Sequence, residues 1–528
     1  MLLEPAINEP YLRAEALDLW SLHKVMRWMA PLILFTVSAS VLVGLHRSAG
    51  LHPQLGDTSA YLDLSVANHL NDHSKYLASK EDLMPYTGNV LWQYLLAIST
   101  KVIKDPVIAS YLLGYIFSLC TLLVCVCIAR RLLGFQPYVI AALCFLALSP
   151  AMLFAATSGG PLALAMLLVC LAIEHHLQGV KGPRIVLPAS AALFVGLAML
   201  IRIEFILLWG IFWLHAGIAS TMLGQRRLKP SVITVQGLSG LLLCLVFVWP
   251  LINKNVHLVK VGWPAPVQAA SGLVARLVES FQLLFASSIL GPVEGIMLLF
   301  GLIMAVYSLS VYRRQAAALL PILLATVLPS SYALLSVFTG WGGAKLVLHA
   351  LAPLYILTGV YGFFRFPGII KAVNDGKGKG AIAGFSLLLL VIALVRIVLF
   401  SGGDLRQRKA FHAWQEHYVE LVEQEELVGG ICLTDQPGWI GYSLLQRPID
   451  LSGRSSVAVL KCARSAGGFD EAKILALTRA RQPELLVLWN EDFFPFAERV
   501  EQALGEGAVR HLMEENPKVL RIDWSRAR

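Results

Sequence analysis

Long apolar runs separated by short polar segments fill most of the chain. A helix that crosses a bilayer needs about 20 mostly apolar residues, and by that measure the pattern predicts about eleven spans. A further apolar stretch, 89–103, is short and interrupted by Gln93 and Ser99, so we expect a helix that lies in the membrane interface. The predicted spans lie near 28–46, 107–129, 136–156, 161–177, 186–202, 204–222, 232–252, 288–312, 316–337, 346–364 and 380–400.

Basic residues cluster in every second connection between these spans. Cytoplasmic loops carry an excess of Lys and Arg, so these connections and the N-terminus are predicted to be cytoplasmic. The segment 46–106 and everything after Phe400 then lie outside the cytoplasm. The basic clusters are Arg130 and Arg131; Lys181 and Arg184; Arg226, Arg227 and Lys229; Arg313 and Arg314; and Arg365, Lys371, Lys377 and Lys379.

The last part of the chain has a different pattern. After a charge-dense helical stretch, strand-like runs such as GGICLTD and ELLVLW alternate with helix-like segments such as FDEAKILALTRARQ. Such alternation is typical of a small soluble α/β domain. We therefore predict a transmembrane domain over 1–402 and an extracytoplasmic soluble α/β domain over 403–528. Cys432 and Cys462 lie in the soluble part, and the sequence leaves open whether they pair.

The composition agrees with a polytopic α-helical membrane protein that has a C-terminal soluble α/β domain. Hydrophobic residues make up 57% of the 528 residues, charged residues make up 15%, and the mean hydropathy is +0.66. Soluble domains carry about 25% charged residues. The net charge of +9 does not indicate nucleic acid as a partner, because Lys and Arg are confined to short clusters between apolar runs.

The stretch LGDTSAYLDL, residues 55–64, places a carboxylate just beyond the first predicted span. Asp57 follows Gly56, where the chain can turn sharply. It is suited either to cap the helix that begins there or to act as a base at the membrane surface. Tyr61 lies four residues on and shares a helix face with Asp57. Asp63 points elsewhere and is expected to be a solvated neighbour.

Several cations are predicted on the same outer side. Arg202 and Glu204 interrupt an apolar run long enough for two spans, and so mark a tight turn between them. Lys345 and His349 precede a late span, and their i, i+4 spacing puts them on one helix face. Lys80 lies in the first outer loop. Charges at membrane depth are usually functional, although each cation is also able to snorkel to lipid head groups.

Four other polar residues are expected to have ordinary roles. Arg396, one turn inside the end of the last predicted span, is expected to snorkel to the head groups. Glu174, His175 and His176 are expected to lie in a solvated cytoplasmic loop, and not to bind a metal.

In the predicted topology, one carboxylate and several cations converge at the outer membrane surface. The phosphate of a lipid-linked substrate lies at that level. There, a carboxylate could deprotonate an acceptor hydroxyl while Arg or Lys stabilises a departing phosphate.

Six motifs, in order along the chain, carry a resemblance to a known family. They are GDTSAYLDLSVANHL at 56–70, MPYTGNVLWQYLLA at 84–97, SYLLGYIFSLCTLLVCVCIARRLLGF at 110–135, GLAMLIRIEF at 196–205, LVLHALAPLYIL at 346–357 and TDQPGWIGYSLLQRPIDLSG at 434–453. In this order, which spans nearly the whole chain, they resemble the membrane glycosyltransferases of the GT-C fold. The resemblance is to the protein-mannosyltransferase and aminoarabinose-transferase-like group.

The resemblance implies an activity and a site. Members transfer a sugar from a polyprenyl-phosphate carrier to an acceptor outside the cytoplasm, with inversion at the anomeric carbon. Asp57 occupies the position of their catalytic carboxylate, which implies a general base acting on the acceptor hydroxyl. The candidates for binding the carrier phosphate and the substrate are Tyr61, Lys80, Arg202, Lys345 and His349.

The resemblance also implies the partners. These are the lipid-linked donor, membrane lipid, and a glycan, lipid or protein as acceptor, which the soluble tail would help to position. No cofactor is required, although some relatives use a divalent metal. The lack of an Asn-x-Ser/Thr sequon favours a bacterial plasma membrane, which the protein crosses many times.

Two departures from the family pattern concern the site. Many members have a second acid in the loop before the fourth span, where this chain has TSGGPL. A second carboxylate would therefore have to come from Glu81, Asp82 or Asp63. The late span begins with Lys345 and His349, where Arg-Tyr is common in the family.

Two other functions are consistent with a polytopic membrane protein. A transporter or flippase of a lipid-linked glycan is expected to have broken polar helices near mid-membrane and weak internal repeats. The polar residues here gather at one membrane face instead. A glycan polymerase or ligase is expected to have a long basic outer loop, and the loop 253–287 is only mildly basic.

Overall fold

The structure is a computed structural model of the whole chain. Asp57 and Lys80 lie outside the residues that it describes, as does most of the predicted span 232–252. The described residues are 22–48, 58–71, 89–133, 136–181, 186–221, 237–238, 242, 277–278, 280–282, 292–311, 316–339, 344–364, 378–427, 430–435, 439–440, 447–451, 471–489, 494–505, 507–513 and 518–526.

Helices make up nearly all of the described chain before residue 427. They are α1 Leu22–Ser48, α2 Thr58–Asn71, α3 Val90–Ile103, α4 Pro106–Leu133, α5 Gln136–Ala147, α6 Pro150–Thr157, α7 Leu162–Lys181, α8 Val186–Met199, α9 Ile206–Thr221, α10 Pro292–Val311, α11 Ala316–Thr339, α12 Ala344–Ala350, α13 Ala352–Phe364 and α14 Gly378–Gln424. A short 3₁₀ turn, Ile203–Phe205, separates α8 from α9.

Within the described residues, five helices are long and apolar enough to cross a membrane, and a sixth span results if α5 and α6 count as one. Shorter apolar helices correspond to several of the other predicted spans. The protein is therefore a polytopic helical membrane protein, as the sequence predicts. The predicted spans do not all correspond to single long helices.

The predicted span 136–156 is divided at a bend of 48° between α5 and α6. Pro150 is the first residue of α6, where its missing N–H costs nothing and its ring ends the preceding helix. Ser149 caps α6, since its hydroxyl oxygen accepts a hydrogen bond from the Met152 N–H at 3.3 Å. The predicted span 346–364 is divided in a similar way, between α12 and α13.

The stretch 89–103 forms α3, so the predicted helix is confirmed. Trp92 and Leu96 are fully buried on one face, whereas Ile98 and Val102 are exposed on the other. An exposed apolar face is what a helix in the membrane interface presents to lipid. The location of α3 in the interface stays a prediction.

Helices α10 and α13 pack with their backbones in close contact. A Cβ atom on Gly301 would collide with the backbone carbonyl of Thr358. A Cβ atom on Gly359 would lie 3.0 Å from Met297. Small residues allow membrane helices to approach this closely, which increases their van der Waals contact.

The chain after α14 forms a five-stranded sheet with strand order β2-β1-β3-β5-β4. Strand β1 pairs in parallel with β2 and β3, while β5 is antiparallel to β3 and β4. This arrangement confirms the predicted α/β pattern of the tail. The elements are β1 Ile431–Thr434, β2 Arg447–Asp450, α15 Glu471–Arg481, β3 Leu485–Leu488, α16 Phe494–Leu504, β4 Val509–Met513 and β5 Lys518–Ile522.

Helix α14 has 47 residues and runs without a break past the predicted domain boundary at 402/403. Val398 and Leu399, in its apolar half, are 71% and 70% exposed, as lipid-facing side chains are. In its polar half, Tyr418 and Val422 are buried in the same core as Cys432 of β1. At 1.5 Å per residue the helix is about 70 Å long, so one element supports both the helical part and the sheet.

Candidate functional site

The predicted base, Asp57, immediately precedes the first residue of α2, Thr58. Tyr61 lies in the first turn of α2 and is only 4% exposed. Its ring joins the main hydrophobic core and leaves little surface for a substrate. The start of α2 is therefore firmly packed next to the position of Asp57 in the chain.

Asp63 is fully buried at 0% exposure, so the expectation that it is solvated is wrong. Its Oδ2 accepts a hydrogen bond from the Asn89 Nδ2 at 2.9 Å, and its Oδ1 accepts one from the Gln93 Nε2 at 2.8 Å. The physical reason is that α3 packs directly against the face of α2 that carries Asp63. Buried carboxylates require hydrogen-bond donors of this kind.

A second polar contact joins α2 and α3 further along. The Asn71 Nδ2 donates to the Ala97 carbonyl at 2.8 Å and to the Thr100 hydroxyl at 2.6 Å. Asp63 contacts the beginning of α3 and Asn71 its end, so the two helices run side by side in the same direction. The α2–α3 pair is thus fixed by hydrogen bonds near both ends.

The start of α3 also contacts the turn that carries Arg202. The Leu91 N–H donates to the Leu200 carbonyl at 3.3 Å. Arg202 follows two residues later, with an extended backbone at φ −149° and ψ 123°, and its side chain is half-buried. The 3₁₀ turn comes next, which confirms the predicted tight turn between two apolar segments.

Two further elements hold the same turn. The Tyr332 hydroxyl of α11 donates to the backbone carbonyl of Glu204 at 3.1 Å. Helix α12, which carries Lys345 and His349, packs against the 3₁₀ turn. The His349 side chain is half-buried. The turn is therefore held by α3, α11 and α12 together.

These contacts bring together the elements that carry four of the predicted site residues. The α2–α3 pair carries Tyr61, the 200–205 turn carries Arg202, and α12 carries Lys345 and His349. Each of these elements contacts the next. The four residues come from three separate parts of the sequence, and the tertiary structure places the elements that carry them in one region.

A buried polar network near the end of α1 is absent from the sequence-based prediction. His46 Nε2 lies 2.6 Å from Asp404 Oδ2, and the Arg408 Nε donates to the same oxygen at 2.9 Å. All three side chains are less than 10% exposed. The i, i+4 spacing of Asp404 and Arg408 is visible in the sequence, but their burial is not.

Arg408 extends this network to two more helices. Its Nη1 donates to the Tyr111 hydroxyl at 3.2 Å, and its Nη2 donates to the Thr157 carbonyl at 3.1 Å. Thr157 opens the TSGGPL segment, in which Gly159 has φ +72°. Only glycine adopts that backbone conformation readily. The TSGGPL segment is thus bound to α14.

The polar residues at the end of α7 are buried, contrary to the expected solvated loop. The carboxylate of Glu174 pairs with the Arg131 guanidinium through bonds of 2.6–3.0 Å. The His176 Nε2 lies 2.9 Å from the His215 Nδ1 of α9. The expectation is wrong because α7 continues to Lys181, which keeps these residues inside the helix bundle.

Arg396 does not snorkel to the head groups. It forms an ion pair with Glu294 of α10, and its guanidinium lies 5.4 Å from the centre of the Phe145 ring. Arg396 is 8% exposed and Glu294 is 2% exposed. The sequence-based expectation is wrong because the Glu294 carboxylate, on another helix, pairs with the guanidinium in place of a lipid head group.

Among the described residues, no group of three or more His, Cys, Asp and Glu side chains is arranged to hold a metal ion.

No family model and no curated protein sequence matches the chain. Solved structures do match its architecture. They establish that the protein has the GT-C fold of membrane glycosyltransferases.

Two of the matching structures come from Cupriavidus metallidurans and Archaeoglobus fulgidus. The apo structure of ArnT from Cupriavidus metallidurans matches with a TM-score of 0.53 and 13% identity, over 94% of this chain and 98% of that chain. The oligosaccharyltransferase AglB from Archaeoglobus fulgidus, in complex with an inhibitory peptide and a dolichol-phosphate, matches with a TM-score of 0.53 and 12% identity, over 89% and 72%. At 12–13% sequence identity, the structural similarity establishes the shared fold.

Proposed function

We propose that this protein is an inverting glycosyltransferase, which moves a sugar from a polyprenyl-phosphate carrier to an acceptor hydroxyl outside the cytoplasm. The acceptor is a glycan, a lipid or a protein. The shared fold supports this proposal, since the solved neighbours are glycosyltransferases and one of them holds a dolichol-phosphate together with an inhibitory peptide. The bacterial plasma membrane is the proposed location, with the soluble domain outside.

The observation that carries the proposal is the meeting of the predicted site elements. The α2–α3 pair is hydrogen-bonded to the 200–205 turn, and the turn packs against α12. A general base and cations for a phosphate must lie within reach of one substrate. Residues 57, 202 and 345 lie in or directly beside elements that are in contact.

In the proposed reaction, the Asp57 carboxylate takes the proton of the acceptor hydroxyl. The acceptor oxygen attacks the anomeric carbon from the side opposite the phosphate, and the carbon–oxygen bond to the phosphate breaks. Arg202, Lys345 and Lys80 stabilise the negative charge of the leaving phosphate. Because the turn that carries Arg202 is bound on several sides, the Cα atom of Arg202 is held in a fixed place.

The first prediction concerns Asp57. Asp57→Asn removes the base and keeps the shape, so we expect sugar transfer to fall by about 10²- to 10⁴-fold. The measurement follows a radiolabelled sugar from a polyprenyl-phosphate carrier to the acceptor fraction of membranes that contain the protein.

Asp72→Asn is the matched control, because Asp72 belongs to the same predicted outer segment and is expected to leave the rate unchanged. Transfer at the normal rate by folded Asp57→Asn protein would remove Asp57 from the mechanism. Movement of the labelled carrier between leaflets without any transfer by the unmodified protein would favour a flippase.

A further inference from the structure

Asp63 is a charged residue at the contact between α2 and α3. Both of its carboxylate oxygens accept hydrogen bonds from α3, at 2.9 Å from Asn89 and at 2.8 Å from Gln93. Asn71, at the far end of α2, makes neutral contacts with the same helix. The charge therefore lies at the end of α2 that follows Asp57.

The donors to Asp63 lie on either side of the residue that reaches the Arg202 turn. Asn89 and Gln93 flank Leu91, whose N–H donates to the Leu200 carbonyl at 3.3 Å. Trp92, between Leu91 and Gln93, is 0% exposed and prevents this part of α3 from shifting without loss of packing. A continuous set of contacts thus runs from Asp63 through the start of α3 to the turn.

We propose that Asp63 is a positioning residue that holds the start of α2 in a fixed location relative to the Arg202 turn. This inference rests on the proposed function, in which Asp57 and Arg202 act on the same substrate. Asp63 does not touch the reacting atoms. It sets the separation of the base and the phosphate-binding cation through Asn89, Gln93 and the first turn of α3.

The chemistry of the contact requires a carboxylate. An ionised Asp accepts hydrogen bonds at both oxygens and donates none, which matches two amide N–H donors. An Asn side chain in the same place has an NH₂ group where one carboxylate oxygen was, so one N–H donor would face another. The conflict between the two N–H donors is relieved only if the side-chain amide of Asn89 or Gln93 turns away from position 63. That movement would weaken the contact between α2 and the start of α3.

The test compares Asp63→Asn with the unmodified protein in the transfer assay and in hydrogen–deuterium exchange. We expect kcat to fall by about 10- to 100-fold with the KM for the lipid-linked donor nearly unchanged, because alignment is lost while binding groups remain. We also expect faster exchange of the Leu91 amide, whose bond to Leu200 is weakened.

Asn71→Ala is the matched control, since it breaks the other polar contact of the same helix pair. We expect less than a threefold change in kcat. In the Asp57→Asn background, adding Asp63→Asn should cause no further loss, because Asp63 acts through Asp57. If Asp63→Asn does not fold, Gln93→Met removes one donor at similar volume and should show the same pattern to a smaller extent.

Unchanged kcat in folded Asp63→Asn protein, or an equal fall in Asn71→Ala, would overturn the proposal. So would unchanged exchange at Leu91, whatever the activity. If the unmodified protein transfers no sugar at all, the proposed function fails. The exchange measurement still decides whether Asp63 fixes α2 against the turn.

Discussion

At the scale of single residues, three of the buried carboxylates in the helical part illustrate two ways of stabilising a charge, by neutral amide donors and by an arginine partner. Asp63 accepts from two neutral amides, Glu174 pairs with Arg131 across two helices, and Glu294 pairs with Arg396. A buried charge without a partner is very costly, so each of these partners is needed. The sequence shows the acidic residues but not which distant side chains pair with each one.

Cys432 provides a prediction at this scale. Burial on β1 raises the pKa of its thiol from 9.0 to about 12. Only the thiolate is a nucleophile, and at pH 8 about one such thiol in ten thousand is ionised. We therefore expect Cys432 in the folded protein to resist alkylation by iodoacetamide at pH 8, as measured by mass spectrometry of the peptide that contains it.

The same protein unfolded in detergent is the control, and there Cys432 should react within minutes. Rapid alkylation in the folded state would show that β1 opens or that the thiol is accessible. Cys462 lies outside the described residues, so whether it pairs with Cys432 stays open.

At the scale of elements, the apolar runs are correctly predicted as helices, while several of their breaks are not predicted. Pro150 divides one predicted span, and a break at Leu351 divides another. The positions of such breaks depend on what the freed backbone groups find nearby. The Arg202 turn is predicted because two charges interrupt a run that is too long for one helix.

The close contact of α10 and α13 gives a prediction for this scale. Gly301→Ala places a methyl group against the Thr358 carbonyl, and the two helices must move apart. We expect the free energy of unfolding to fall by about 1–3 kcal/mol, the range for overpacking a tight contact. Thermal unfolding of the protein in detergent micelles measures the loss.

Gly384→Ala is a suitable comparison, because a Cβ atom at Gly384 of α14 has nothing within 4 Å. That variant should be at least as stable as the unmodified protein, since Ala favours helix more than Gly does. Equal stability of the two variants would mean that α10 and α13 leave room for a methyl group between Gly301 and Thr358.

At the scale of the whole molecule, α14 connects the helical part with the sheet. Asp404 and Arg408 fasten it to α1, α4 and α6 through His46, Tyr111 and Thr157. Further along, the helix packs on the sheet through Tyr418 and Val422. The buried polar bonds of Asp404 and Arg408 are therefore part of the connection between the helical part and the sheet.

Arg408→Ala tests this connection. The change leaves Asp404 buried with a single described partner and removes the bonds that Arg408 donates to the Tyr111 and Thr157 oxygens, so we expect the free energy of unfolding to fall by about 3–5 kcal/mol. Limited proteolysis should also cut more readily in 401–427. Arg406→Ala, at an exposed position of the same helix, should change neither measurement.

A normal unfolding midpoint and an unchanged cleavage pattern in Arg408→Ala protein would contradict this role. In that case the packing of Tyr418 and Val422 would suffice to hold the sheet. The two variants differ by only two positions in the helix, so effects of lost positive charge in general are controlled.

The class of the protein, its helical nature and the existence of an α/β tail can all be predicted from the amino-acid sequence. Those properties follow from apolar periodicity and charge distribution, which act locally along the chain. The sequence also marked Arg202, Lys345 and His349 as residues that need an explanation.

The partners of the buried polar residues could not be predicted from the sequence, because they depend on how the helices pack. The hydrogen bond from Asn89 to Asp63, the ion pair of Arg396 with Glu294 and the bond from Arg408 to Thr157 each join residues that are at least 26 positions apart in the chain. A carboxylate next to an apolar run looks the same in a sequence whether it meets water or two amide donors. Helix packing determines which of the two environments the carboxylate has, because it determines which side chains are buried together.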